Sequence, residues 1–157
     1  MLLRRAGVII ATCAPFGYSP VAPGTVGSGV GLAVFYGVRQ LNASAAIELV
    51  ILLLLIAIGI WSATEAERHF GGIDPGQVVI DEVIGMLITL AFIPVGLAGA
   101  VVGFFVFRVL DIVKPWPARR LERLPGGMGI VFDDVMAGIY GNIVMWVLVA
   151  LAPTWLR

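Results

Sequence analysis

Long apolar runs alternate with short polar segments along the chain. The runs fall at about 25–41, 45–63, 78–93, 97–113 and 130–152, and the segments between them are "LNAS", "TEAERHFGGIDPGQ", "IPVGLAG" and "KPWPARRLERLPGG". A bilayer core of about 30 Å needs ~20 apolar helical residues, so these runs predict membrane helices. "AAIELVILLLLIAIGIWSA" meets that length outright. The runs at 78–93 and 97–113 are shorter, and sixteen residues at about 1.5 Å each give roughly 24 Å. Their ends must lie near the interface or line a cavity. The expected fold is all-α, a polytopic membrane helix bundle of about five transmembrane helices, in a single domain over residues 1–157. Ahead of it stands "MLLRRAGVIIATCAPFG". Its two arginines and brief apolar run imitate a secretory signal, but Pro15 interrupts the run and no small-x-small site of the usual kind follows. A retained interfacial segment is expected there.

Composition agrees with a lipid setting. The 157 residues are 60% hydrophobic and 13% charged, against roughly 25% charged in soluble domains. Net charge is zero, so no basic surface for nucleic acid is implied. The single cysteine, Cys13, excludes an internal disulfide and a cysteine-cluster metal site. Lys114, Arg119, Arg120 and Arg123 crowd one connection, Arg4 and Arg5 the N-terminal segment, and Arg68 the 64–77 connection. The bias of cationic residues toward the cytoplasm places all three on that side. Arg39 and Arg157 then fall outside, Glu48 marks the outer interface, and His69 lies in a solvated loop.

Five acids interrupt or border the apolar runs: Asp81 and Glu82 in "VVIDEVIGMLITLAFI", Asp111 in "FRVLDIVKP", and Asp133 and Asp134 in "GGMGIVFDDVMAG". A charge at the centre of a membrane helix costs about 2.5–3.5 kcal/mol on insertion scales, so five of them have a purpose. The expected topology puts all five at the cytoplasmic end, with Arg108, Lys114 and the "APGTVGSG" helix start. Asp81 and Gly85 are i, i+4, as are Asp134 and Gly138, with Gly141 one turn on. Glycines on those faces let helices approach closely. Arg108 and Asp111, at i, i+3, share a face. So many carboxylates need protons, cationic residues or metal as compensation, and hard oxygens suit Mg²⁺ or Mn²⁺. Carboxylates, a hard cation and fixed positive donors are the parts of metal-assisted phosphoryl chemistry. Each block also has a plainer reading. "PGTVGS" is either a phosphate-binding helix start or small-residue packing, and the acids at 133–134 also suit a helix N-terminus.

The blocks "SPVAPGTVGS", "VVIDEVIGM", "FFVFRVLDIVKPWP" and "GGMGIVFDDVMAG", in this order and spacing, resemble the phosphatidylglycerophosphatase A family. The resemblance runs from about residue 19 to 141. It implies a Mg²⁺-dependent, multi-pass enzyme of the bacterial inner membrane, with its active site facing the cytoplasm. Its implied reaction removes the terminal phosphate from phosphatidylglycerol phosphate in the bilayer to leave phosphatidylglycerol. Carried over by motif, Asp81, Glu82, Asp111, Asp133 and Asp134 are metal-holding or water-activating acids. Arg108 and Lys114 are phosphate clamps, and Thr25 and Ser28 are phosphate contacts. Attack by activated water and a phospho-aspartate intermediate both stay open, with water preferred. An alcohol phosphotransferase of phospholipid synthesis would use a similar face, but its two-aspartate pattern with an Ala-Arg pair is absent. A proton- or cation-coupled transporter would need polar residues across the whole membrane, and here they stop on one side.

Overall fold

The computed structural model describes residues 2–157, and among them there is no strand. Helix α1 (Leu2–Ala11) and a 3-10 turn (Phe16–Tyr18) lead into α2 (Pro23–Gln40), α3 (Ala45–Phe70), α4 (Ile80–Leu90), α5 (Leu97–Val113), α6 (Ala118–Leu121), α7 (Gly127–Leu151) and α8 (Pro153–Leu156). The all-α expectation holds, and α2, α5 and α7 start and stop within three residues of the apolar runs that predict them. Local chemistry sets these ends. Pro23 opens α2 with a φ already suited to the first helical turn. The Ser44 hydroxyl accepts from the Ile47 N–H at the start of α3, and Gly71 ends that helix at a φ of 74°, where a side chain would be strained.

Two elements depart from expectation. Helix α3 continues through "TEAERHF" to Phe70, where a loop from residue 64 was expected. Polar side chains end an apolar run without ending a helix. Ala63 and Ala66 are fully buried, Glu65 pairs with Arg68 one turn on at 2.8 Å, and α1 packs alongside. His69 is therefore helical, though exposed as expected. Helix α4 has 11 residues rather than sixteen, about 16 Å of rise, too short to cross a bilayer as a helix. Nine of those residues are buried, so α4 is the core around which α2, α3, α5 and α7 are arranged.

A helix that stops inside a bundle leaves carbonyls without partners. Asn142 of α7 meets this need: its side-chain amide donates to the carbonyls of Ile88, Thr89 and Ala91 at 3.0, 3.3 and 2.9 Å. Arg39 at the end of α2 donates to the Ile93 carbonyl at 2.8 Å. Glu48 accepts from the Phe92 N–H at 3.2 Å. The connector ends where the Gly96 N–H bonds the Leu156 carbonyl beside the C-terminus. Replacing Asn142 with Leu keeps the volume but orphans the Thr89 and Ala91 carbonyls, since that of Ile88 still accepts from the Ala91 N–H, at about 1–3 kcal/mol for each group left unsatisfied. Asn142→Leu is expected to lower unfolding stability by about 2 kcal/mol in detergent. Thermal melts test this, and an unchanged midpoint would show that the connector caps itself.

Among the described residues, α3 and α7 are long and apolar enough to cross a membrane. The outward faces of α3, α5 and α7 carry apolar stripes at helical spacing. Val101, Phe105, Val109 and Ile112 line α5; Val50, Leu53, Leu54, Ile58 and Trp61 line α3; Ile139, Ile143, Trp146 and Val147 line α7.

Candidate active site

Four helices bring polar side chains to one end of the bundle. Asp81 and Glu82 occupy the first turn of α4, Arg108 and Asp111 the last turns of α5, Asp133 and Asp134 the second turn of α7, and Ser28 the second turn of α2. Close approach of the helices depends on glycine. A Cβ on Gly138 would stand 2.6 Å from the Gly85 carbonyl oxygen, and one on Gly85 would stand 2.9 Å from that of Asp134. Both glycines lie one turn from their acids, so the contact that joins α4 to α7 also draws Asp81 and Asp134 together. On the other flank, a Cβ on Gly24 would stand 2.2 Å from Glu82 Oε1 and 3.3 Å from Arg108 Nη1. The start of α2 is thus a backbone wall of the site.

The five acids separate into two kinds. Asp81, Glu82 and Asp134 each offer a carboxylate oxygen within 4.8 Å of the others. Asp81 Oδ1, Glu82 Oε2 and Asp134 Oδ2 are buried and accept no hydrogen bond. Asp111 and Asp133 are instead held by cations. Arg108 Nη1 lies 2.7 Å from Asp111 Oδ2 and 3.3 Å from the Ser28 hydroxyl, which itself donates to the Gly24 carbonyl. Lys114 Nζ lies 2.5 Å from Asp133 Oδ2 and 3.3 Å from Glu122 Oε1. Asp133 Oδ1 also accepts from the Asp134 N–H at 3.0 Å, a local bond that fixes the pair's relative orientation. Thr25 is exposed on the first turn of α2.

Lys114 caps α5 in the left-handed conformation, φ 47°, which turns its side chain back toward α7. Partial burial works against its ammonium form. The bond to Asp133 and the charges of Asp133 and Glu122 outweigh burial and hold its pKa above the ordinary value, so it stays cationic at neutral pH. Two further acids gather here that the apolar-run reading passes over. Glu122 lies in the connection after α6, eight residues past Lys114, with nothing in its local pattern to mark it. Asp74, an exposed residue of the 71–79 connection, has a partly sheltered carboxyl. That shelter raises its pKa; Lys114 pulls the other way, and Glu122 and Asp111 add to the rise. A Pro after Asp74 and glycines around it are the available signal, marking a turn that reaches over the helix ends.

Buried carboxylate oxygens without donors are costly unless a cation fills the gap between them. Three hard oxygens from three side chains form a group able to hold a metal ion, and such donors favour a hard cation. Next to them, Arg108 and Lys114 are each held in place by a carboxylate and retain further N–H donors, as an anion site requires. An all-helical bundle thus carries, at one end, an acidic cluster able to hold a metal ion beside two cations held in ion pairs.

The family model of phosphatidylglycerophosphatase A matches residues 9–149, and the chain belongs to the phosphatidylglycerophosphatase A family. A phosphatidylglycerophosphatase A of Escherichia coli is 38% identical over 78% of this chain and 72% of its own length. One of Haemophilus influenzae is 38% identical over 80% of this chain and 77% of its own. A Bacteroides thetaiotaomicron protein, provisionally named a phosphatidylinositol-3-phosphatase, is 35% identical over 88% of this chain and 90% of its own. No solved structure matches the chain.

Proposed function

We propose that this protein is a metal-assisted lipid phosphatase that hydrolyses the terminal phosphomonoester of phosphatidylglycerol phosphate to phosphatidylglycerol and phosphate. The observation that carries the proposal is the set of three buried, unpartnered carboxylate oxygens beside two cations held in ion pairs. In this reading Asp81, Glu82 and Asp134 hold Mg²⁺. Bound there, the ion would supply positive charge beside the phosphate oxygens. Arg108, pinned by Asp111 and Ser28, aims its remaining N–H groups at the phosphate as a fork. Lys114, steadied by Asp133 and Glu122, supplies a second point charge. Thr25 and the backbone N–H groups at the start of α2 complete the phosphate cradle. Water attacks the phosphorus, one carboxylate of the cluster accepts its proton, and as the ester P–O bond breaks that proton passes to the departing glycerol oxygen. Asp111 and Asp133 serve by orienting the two clamps.

The setting proposed is the bacterial inner membrane, in one domain of five crossings, with α1 at the interface. Helices α2, α3, α5 and α7 make four crossings, and α4 with its connector to Gly96 makes the fifth. The outward apolar stripes support it, because soluble proteins seldom expose contiguous patches of that size. The Lys and Arg residues near the site end favour the cytoplasmic side.

A second reading rests on the Bacteroides relative: a phosphomonoester on an inositol lipid instead of on glycerol. One experiment addresses reaction, substrate and face. Short-chain phosphatidylglycerol phosphate or phosphatidylinositol 3-phosphate is added to sealed vesicles carrying the protein in a known orientation, with Mg²⁺ or with chelator. Phosphate release is expected from the glycerol lipid, with Mg²⁺, where the 114–129 connection faces outward. No release from either lipid overturns the phosphatase reading. Faster release from the inositol lipid replaces the substrate, and release only in the opposite orientation reverses the face.

A further inference from the structure

Helix α1 takes no part in the chemistry proposed above, and it is built unlike the others. Its cations and apolar residues are set one turn apart: Arg4 and Val8 are i, i+4, and so are Arg5 and Ile9. The same four side chains, with His69 of α3, line a groove of about 460 Å³ between α1 and the end of α3. Gly7 makes the groove possible by letting the helices close. A Cβ there would stand 2.8 Å from Glu65 Cβ. Arg4 donates to the Arg68 carbonyl, which fixes the height of the cationic end beside the last turn of α3. Arg5 forms no ion pair among the described residues. Ile9, Leu2 and Leu3 are exposed.

The groove therefore has a cationic mouth and an apolar floor about 5 Å deeper, one helical turn. That graded polarity matches a phospholipid, whose phosphate sits just above its acyl chains. Arginines favour such a boundary, because their stems lie along apolar surface while the guanidinium reaches phosphate. A free phosphate would satisfy the mouth and leave the floor unfilled. We propose that the groove between α1 and the end of α3 holds an anionic phospholipid, phosphate at Arg4 and Arg5, acyl chain on Val8 and Ile9, at a site separate from the carboxylate cluster. Its position matters to the cluster. The Ala11 carbonyl, at the other end of α1, accepts from the Val79 N–H at 2.9 Å, and Val79 is the residue from which α4 starts. A lipid that steadies α1 thereby steadies the helix carrying Asp81 and Glu82.

This inference rests on the membrane setting proposed above. The test uses the purified full chain in neutral detergent and counts retained lipids by native mass spectrometry. The probes are phosphatidylserine and phosphatidylcholine of identical acyl chains, neither of which carries a phosphomonoester. Each cation close to an anionic lipid is worth about five-fold in retention. With two arginines, wild type is expected to hold phosphatidylserine about 25-fold better than phosphatidylcholine, with the excess unaffected by millimolar inorganic phosphate. The Arg4→Gln/Arg5→Gln variant should bring the two lipids within about two-fold, and so should Ile9→Glu, which places an anion in the groove. Arg119→Gln/Arg120→Gln, in another cationic segment, should keep the preference. Equal retention by wild type overturns the inference, as does an undiminished preference in both groove variants, or displacement of the lipid by phosphate. Phosphate release is measured on the same samples. Active wild type without a lipid preference removes the groove alone, and an inactive one bears on the enzyme reading instead.

Discussion

Asp81→Asn and Asp134→Asn are each expected to lower phosphate release by more than ~100-fold while leaving the protein folded. Losing a residue that merely orients a metal ligand costs about 10–100-fold, and these two side chains are proposed as ligands. Asparagine keeps the shape and one oxygen, so packing around Gly85 and Gly138 is preserved. Stability should respond with opposite sign in two conditions. Without metal, each variant removes one of three crowded anions and should melt above wild type, since like charges within a few ångströms oppose one another. With Mg²⁺ at a hundredfold excess over its Kd, a site binding only the folded state adds about 2.7 kcal/mol, and most of that gain should vanish in the variants. Thermal unfolding with Mg²⁺ and with chelator reads both. A variant that keeps its activity and its full Mg²⁺-dependent rise would take that acid out of the metal site.

Arg108→Lys should cost about 100-fold in kcat/KM, the size of effect that follows loss of one well-aimed donor to a reacting oxygen. Formal charge is retained, so a role in charge balance alone predicts near-normal activity. Geometry is lost: a single ammonium cannot satisfy Asp111 at 2.7 Å, face Ser28 at 3.3 Å and still offer a planar fork to phosphate. Steady-state kinetics with confirmed membrane insertion decides between these. The companion substitution Lys114→Arg should be milder, because Lys114 is proposed to act as a point charge.

Much of this architecture is visible in the pattern of apolar runs, because each outward stripe and each buried face leaves the same periodic trace. One-sidedness of the acids is visible too, since it needs only the order of the helices. The sorting of those acids is not. Asp133 and Asp134 are neighbours in sequence, yet one pairs with Lys114 and the other joins the unpartnered trio. That outcome depends on the rotation of α7 against α4, which Gly85 and Gly138 set through space. Lys114 reaching across to α7 is invisible for the same reason: it follows from a left-handed turn after Val113. The length of α4 is misread because "AFIPVG" is as apolar as a helix but is spanned by side-chain caps from Asn142, Arg39 and Glu48. A lone Asn within an apolar run was the trace of that arrangement. The extra turns of α3 fail to register because hydropathy reports the medium around a segment, while Ala63 and Ala66 report a neighbouring helix.

The apolar stripes on α3, α5 and α7 have a consequence for how such a catalyst is measured. In the membrane setting proposed above, those faces lie among acyl chains, enzyme and lipid substrate share a film two molecules thick, and they meet by lateral drift within it. The quantity that governs occupancy is then the fraction of lipid molecules that are substrate, not the amount per litre. Diluting the suspension with buffer leaves that fraction untouched, whereas adding inert lipid at constant volume thins the substrate around every copy of the protein. In that setting a Michaelis constant for this chain is a mole percentage, and the make-up of the surrounding leaflet alone sets its turnover.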